Sequence, residues 1–151
     1  GTSATLDLEV VITGTYGMTL TTPTGLLSTT VTAGDTRNID LVINNTGSTQ
    51  LSNISLGATT PLGWEVTFDP EKIDIIAPGK SEQVSATLKA DKKAIAGDYV
   101  TRFNAVAPET TSEADFRVTV RTPMIWGWLG IFIIIGALGI VYYLFRKYGR
   151  R

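Results

Sequence analysis

The sequence contains neither cysteine nor histidine among its 151 residues. Without these residues the chain cannot form disulfides, cannot use a thiolate or an imidazole in catalysis, and lacks the usual ligands of zinc. The length allows one domain of about 100 residues and an accessory segment rather than a large enzyme. We therefore expect a protein that is not an enzyme and that uses no cofactor.

Charge is divided unevenly along the chain. Residues 1–122 carry nine Lys or Arg and all fourteen Asp or Glu, a net charge of −5, whereas residues 123–151 carry four basic residues and no acid. We infer that the two parts occupy different environments. The negative charge of the first part argues against nucleic acid as a partner.

An uncharged stretch of 22 residues runs from residue 124 to residue 145. As a helix it would be about 33 Å long, enough to cross a hydrocarbon core of about 30 Å. By the positive-inside rule, the basic residues that follow place the C-terminus in the cytoplasm and the N-terminal domain outside. We predict a single-pass protein of the cell membrane with a transmembrane helix over 124–145 and a basic cytoplasmic tail over 146–151.

Aromatic and basic side chains flank this stretch, as at the two interfaces of a membrane helix. The residues predicted to anchor it in the lipid bilayer are Trp126, Trp128, Tyr142, Tyr143, Arg146, Lys147, Arg150 and Arg151. Within the span, Gly130 and Ala137 are seven positions apart and share one helical face. Two interpretations stay open: these small residues admit a second helix, or glycine is simply common in membrane helices.

Residues 15–121 alternate between apolar and polar side chains, as in Ile39, Leu41 and Ile43 or in Phe116, Val118 and Val120. A period of two with one polar face is typical of antiparallel sheets that face water on one side. About seven short strands separated by turn signals predict an all-β fold, an immunoglobulin-like antiparallel β-sandwich followed by the C-terminal helix.

Particular residues have predicted places in this sandwich. Trp64 begins an inward-facing series and is expected to anchor the core. Tyr99 follows a turn, and its hydroxyl is expected to bond to a backbone partner. Between strands, a positive φ is predicted at four glycines. These glycines are Gly47, Gly63, Gly79 and Gly97.

Residues 1–14 contain a further alternating run, which is either the first strand of the sandwich or the last strand of a preceding domain. Residues 14–17 begin and end with glycine, as linkers between domains often do. We therefore favour the end of a preceding domain or a linker strand. We accordingly expect the chain to be the C-terminal piece of a longer precursor.

Five turn motifs follow one another in a distinctive order. They are Ala33-Gly34-Asp35, Asn44-Asn45-Thr46-Gly47, Pro61-Leu62-Gly63-Trp64, Ala77-Pro78-Gly79-Lys80 and Ala94-Ile95-Ala96-Gly97-Asp98-Tyr99. Over about residues 28–121 the chain resembles the NPCBM-associated "new" domain of alpha-galactosidases, in its membrane-anchored bacterial and archaeal form with a C-terminal transmembrane helix. In that family, copies are often tandem and some are encoded beside ABC-transporter components. The resemblance implies an extracytoplasmic, non-catalytic module of undefined ligand. It does not imply galactosidase activity.

These observations predict a structural or protein-interaction element. A more specific form of this prediction is an accessory subunit of an ABC-type membrane transporter. Only Arg121 and Thr122 separate the last strand residue from Pro123, so we expect the sandwich to be held close to the bilayer. The partners would be the bilayer and a polytopic membrane protein.

The alternative is a cell-surface carbohydrate-binding module, whose partners would be glycans. With Trp64 assigned to the core, its weaker aromatic candidates are Tyr16, Tyr99 and Phe103.

The densest group of acids, Asp69, Glu71 and Asp74, also has two interpretations. It is either a calcium site, because Ca²⁺ takes several oxygen ligands, or a solvated turn.

Overall fold

The computed structural model describes residues 13–123 and 125–149, apart from the side chains of Ile125 and Trp126. Within residues 13–123 the chain forms nine strands, and a helix follows. Their bounds are β1 Met18–Thr21, β2 Ser28–Thr32, β3 Thr36–Asn45, β4 Leu51–Thr59, β5 Glu65–Asp69, β6 Lys72–Ile76, β7 Ser81–Lys89, β8 Gly97–Val106, β9 Thr111–Arg121 and α1 Ile125–Tyr148. Of the segment 1–14 predicted to hold a strand, residues 1–12 lie outside the described residues, and residues 13 and 14 belong to no strand.

The strands form two sheets, sheet A in the order β1-β3-β7-β5 and sheet B in the order β2-β9-β8-β4-β6. Alternate side chains of each sheet face the other sheet and bury an apolar core between them. At most 2% of the surface is exposed in the core residues Leu41 and Val84 of sheet A and Phe103 and Phe116 of sheet B. The predicted immunoglobulin-like sandwich with a C-terminal helix is therefore confirmed.

One strand pair departs from antiparallel pairing, because β2 runs parallel to β9. β1 and β2 are successive parts of one segment that leaves sheet A and joins sheet B. Pro23, which has no amide hydrogen, and Gly25, with a φ of 72°, lie between them and end the pairing of β1. Alternation is the same in both pairing directions, so the sequence pattern predicted neither this pair nor the division into nine strands.

The alternation of inward-facing and outward-facing side chains shifts by one position at the same level of β4 and β6, where both strands bend. Asn53 has a φ of 52°, so the buried residues of β4 on either side of it, Leu51 and Ile54, are three positions apart. The partner strand shows the same spacing, since Leu51 pairs with Ile76 and Ile54 with Ile73. Both strands therefore keep their apolar side chains inward across the bend.

The predicted glycine turns are only partly as expected. Gly63 and Gly79 have φ values of 80° and 67°. The prediction was wrong for Gly47, whose φ is not positive, and Gly97 is extended backbone at the start of β8, with a φ of 159°. A Cβ at Gly47 would overlap the carbonyl oxygen of Thr15, so this glycine allows the segment before β1 to approach the β3–β4 loop.

Candidate membrane anchor and interaction surfaces

The helix α1 presents an apolar surface that the sandwich does not cover. Its segment Gly127–Tyr148 is 22 residues long, none of it is buried, and it is long and apolar enough to cross a membrane. The helix is therefore a candidate membrane span. It continues to Tyr148, so Arg146 and Lys147 lie in its last turn and the predicted tail begins inside the helix.

The C-terminal end of α1 combines aromatic rings with positive charge. The ammonium nitrogen of Lys147 lies 5.6 Å from the ring centroid of Tyr143 and 5.5 Å from that of Tyr148. These are distances at which a cation is attracted to an aromatic face. Amphipathic rings beside basic residues have the composition of an interfacial belt.

The other predicted anchor residues have different positions. Trp128 and Tyr142 are 59% and 68% exposed on α1, near its opposite ends. Trp126 belongs to α1, but its side chain is outside the described part of the structure, as are Arg150 and Arg151 altogether.

Gly130 and Ala137 both lie in α1, and a Cβ built at Gly130 would meet nothing within 4 Å. That face is therefore open to a second helix. Helix packing through these two residues stays a prediction.

Trp64 and Tyr99 form an aromatic contact at one end of the sandwich. Trp64 is 7% exposed, and its ring centroid lies 5.2 Å from that of Tyr99. The Tyr99 hydroxyl donates a hydrogen bond of 2.9 Å to the carbonyl oxygen of Ile95. The backbone partner expected for this hydroxyl is therefore present, and it holds the β7–β8 loop against β8.

The described sandwich residues do not form a row of exposed aromatic rings. Phe103 is fully buried, and the ring of Tyr99 packs against that of Trp64 at an interplanar angle of 44°. Among the large hydrophobic side chains exposed between residues 13 and 123, Tyr16 supplies the one aromatic ring, at 47% exposure. The central outer surface of sheet A instead carries short polar side chains, such as Asn38, Ser85 and Thr87.

The acids considered for calcium lie in separate elements. Asp69 ends β5 in sheet A, Asp74 lies in β6 in sheet B, and Glu71 lies in the connection between them. All three are exposed. Within the part of the chain that the structure describes, no three acidic side chains are arranged to hold a metal ion.

The outer surface of sheet B carries a charged cluster that sequence reasoning missed. Arg102 Nε lies 2.6 Å from one carboxylate oxygen of Asp115, and a second guanidinium nitrogen lies 3.1 Å from the other oxygen. Glu113 lies 3.6 Å from the same guanidinium. The hydrogen bond from Arg102 lowers the pKa of Asp115, and the pKa of Arg102 is raised in turn.

This cluster depends on strand register. Arg102 on β8 and Asp115 on β9 are directly opposite each other. Oppositely charged residues facing each other across a strand pair stabilise that pairing. Because both side chains are about half exposed and permanently ionised near neutral pH, they do not have the properties of a catalytic acid or base.

Two packed β-sheets followed by a candidate membrane helix define an immunoglobulin-like sandwich module. Residues 31–106 match the family model of the NPCBM-associated, NEW3 domain of alpha-galactosidase, which is half of the chain, and the protein belongs to this family. The match runs from the last two residues of β2 to the end of β8, and β1, β9 and the rest of β2 lie outside it. As a member of this family, the chain is an accessory module.

The chain is similar to solved structures at low sequence identity. A FixG-related protein from Vibrio parahaemolyticus has a TM-score of 0.51 and 16% identity, over 70% of this chain and 96% of that one. A family 123 glycoside hydrolase from Clostridium perfringens has a TM-score of 0.44 and 16% identity, over 72% of this chain and 27% of its own. No curated protein matches the sequence significantly. The first similarity shows the fold and nothing beyond it.

Proposed function

We propose that this protein is a non-catalytic interaction module, held at the outer face of the cell membrane by α1, which serves as an accessory subunit of a polytopic membrane protein of the ABC-transporter class. The anchor would be the apolar helix, and the module would be the sandwich. The four basic residues after residue 145 would keep the C-terminus in the cytoplasm.

The connection between sandwich and helix carries this proposal. β9 ends at Arg121 and α1 begins at Ile125, so three residues separate them. One of the three is Pro123, whose φ is fixed by its ring. Four Cα steps of about 3.8 Å reach about 15 Å at most. A domain on so short a tether keeps its position over the membrane, as a subunit docked on an integral membrane protein requires.

Sugar binding is less well supported. A carbohydrate module needs exposed rings on which sugars can stack, and Trp64 and Phe103 belong to the core of the described sandwich. Catalysis is not favoured either, since Asp69, Glu71 and Asp74 do not converge on one site.

The first experiment is affinity purification from native membranes in mild detergent. Three versions are compared: the intact chain, a chain truncated after Thr122, and a chain with about ten Gly and Ser residues inserted between Thr122 and Pro123 as a flexible spacer. We expect a polytopic protein to co-purify with the intact chain, less of it with the spacer version, and none with the truncated version. Failure of the intact chain to retain any polytopic protein would contradict the proposal.

Orientation is tested separately, and the absence of cysteine provides a clean background. Single substitutions Glu109→Cys in the sandwich and Gly149→Cys after α1 are labelled in intact cells with a membrane-impermeant maleimide. We expect label at residue 109 alone until the membrane is permeabilised. The reverse pattern would place the sandwich in the cytoplasm.

A further inference from the structure

The strand registers show which loops lie at the end of the sandwich from which α1 departs. Arg121, the last residue of β9, pairs with Thr32 at the end of β2, and Val120 pairs with Gly97 at the start of β8. The loop after β2 leads to the start of β3, and the loop before β8 comes from the end of β7. The end of β7 pairs with the starts of β3 and β5, so these strand ends also lie at this end of the sandwich. The loops at this end, called here the helix-proximal loops, are residues 33–35, 60–64 and 90–96.

Two of these loops expose large aliphatic side chains. Leu62 is 98% exposed and Ile95 is 77% exposed, whereas no other large hydrophobic side chain described between residues 13 and 123 exceeds the 66% of Leu26. The two most exposed aliphatic residues of the sandwich therefore lie at the end that continues into the apolar helix.

Hydrogen bonds hold both residues in these outward positions. The amide of Trp64 donates to the carbonyl of Pro61 at 3.2 Å and closes the turn that contains Leu62. The carbonyl of Ile95 accepts the hydroxyl of Tyr99 at 2.9 Å. Both bonds fix the backbone from which these exposed side chains project.

The loops are also connected to one another. The amide of Gly34 donates to the carbonyl of Asp91 at 3.2 Å, and the amide of Ala90 donates to the carbonyl of Asp35 at 3.1 Å. The carboxylate of Asp91 accepts the amide of Lys93 at 2.9 Å, so this acid is used within its own loop. Loops 33–35 and 90–96 are thus preorganised together, and Gly63 of the third loop lies beside the carboxylate of Asp91.

Exposed basic side chains stand beside the aliphatic ones. Lys92 and Lys93 are both exposed, and neither takes part in an ion pair among the described residues. Arg121 adds a third exposed positive charge at this end. The exposed acids there are Asp35, Asp98, which accepts the hydroxyl of Thr119, and Glu65, which pairs with Lys89. Lysines beside apolar side chains are suited to a bilayer interface, because the ammonium groups attract anionic lipid headgroups while their stems contact apolar surface.

We infer that the helix-proximal loops are a membrane-contact surface, in which Leu62 and Ile95 enter the interfacial layer while Lys92 and Lys93 contact anionic headgroups. The inference rests on the proposed function in that α1 must span the bilayer. The occupant is the bilayer because three residues separate β9 from α1, so the surface follows the helix to the interface. Basic and apolar side chains together are the recognised composition of surfaces that lie in an interface.

The inference is tested with the full chain reconstituted in vesicles of phosphatidylcholine and phosphatidylglycerol. The substitutions Leu62→Cys and Ile95→Cys each introduce a site for a polarity-sensitive fluorophore, and nitroxide lipids serve as quenchers. Gly136→Cys reports insertion of α1, and Glu109→Cys, in the loop at the opposite end of the sandwich, is the matched surface control. We expect strong quenching at 136, clear quenching at 62 and 95, and little at 109.

The outcomes separate the two proposals. Quenching at 136 with no more at 62 and 95 than at 109 would overturn the membrane-contact surface while leaving the anchor intact. Absence of quenching at 136 would overturn the anchor itself, and the inference with it.

The contribution of charge is measured with the fluorophore at position 95. In vesicles that contain phosphatidylglycerol, Lys92→Gln and Lys93→Gln should each lower the ratio of docked to free sandwich about fivefold. In pure phosphatidylcholine neither change should matter. Lys80→Gln, at the opposite end, is the control and should leave the ratio unchanged. An equal effect of Lys80→Gln, or no effect of the other two, would overturn the assignment of headgroup contacts.

Discussion

At the residue scale, buried polar side chains differ in how completely they are hydrogen-bonded. Asn45 at the end of β3 is 2% exposed, and its Nδ2 donates to the carbonyl oxygens of Thr49 and Ile76, both at 2.9 Å. Its Oδ1 accepts the amide of Gly47 at 3.0 Å. Because Ile76 belongs to sheet B, this one amide joins the two sheets at the end remote from α1.

We expect Asn45→Asp to lower the free energy of unfolding by about 2–4 kcal/mol, because a carboxylate would face two carbonyl oxygens without donors for them. Urea unfolding measures the change. Asn44→Asp, at the neighbouring outward-facing position, is the control and should cost less than about 0.5 kcal/mol. Equal losses in both variants would show that Asn45 has no special role.

Thr101 presents the opposite case. It is fully buried in β8, and its hydroxyl has no hydrogen-bond partner among the described residues. Thr101→Val replaces this hydroxyl with a methyl group of similar size. We expect a gain of about 1 kcal/mol, since an unsatisfied buried polar group is removed. Thermal unfolding measures it, and a loss of stability would mean that the hydroxyl is bonded in solution.

Asp115 has a pKa lowered by its hydrogen bond from Arg102. A carboxyl whose pKa is lower in the folded state stabilises the fold above its unfolded pKa, and this contribution disappears as pH falls through the folded value. NMR titration should place the Asp115 pKa below its usual value of 3.8, and Arg102→Gln should return it toward that value. An unchanged titration in the variant would refute the assigned cause.

At the scale of elements, the bend in β4 and β6 shows where local chemistry decides register. Asn is among the few non-glycine residues that adopt a positive φ at modest cost. At Asn53 this conformation allows Leu51 and Ile54 to be buried together. Without the bend, a period of two would turn one of them to solvent.

We therefore expect Asn53→Val to destabilise the sandwich by about 1–2 kcal/mol, because a β-branched residue is strained at this φ. Asn53→Gly is the matched control and should change stability by less than about 0.5 kcal/mol, since glycine adopts the conformation freely. Denaturant titration distinguishes the two, and a tolerated valine would show that the bend relaxes.

Most strands could be predicted from the alternation of apolar and polar residues, but their pairing could not. The patterns of Ile39 to Ile43 and of Phe116 to Val120 located β3 and β9 because each has one wet face. The parallel pair β2–β9 was not predictable, since a short Thr-rich strand presents the same pattern in either direction. The Arg102–Asp115 contact was equally hidden, because it requires the register between β8 and β9.

At the scale of the whole molecule, sandwich and helix are separate in their packing. Among the described residues, the buried core lies between Met18 and Val120, and the segment Gly127–Tyr148 of α1 has no buried part. The helix therefore adds nothing to the core of the sandwich.

We expect the fragment 1–122 to fold without α1 and to unfold within about 2 °C of the sandwich in the full chain, because no core contact is lost. Circular dichroism in the same detergent compares the two, and the full chain serves as the reference. A fall of ten degrees or so would reveal contacts between α1 and the sandwich that the core does not contain.

The sequence alone determined the features that depend on composition and local period. It identified an apolar helix long enough for a bilayer, a Trp directed to the core, and a family whose turn motifs recur in order. Tertiary structure decided what depends on residues far apart in the chain. It placed Leu62 and Ile95 at the end that bears α1, because strand register rather than local pattern brings distant loops together.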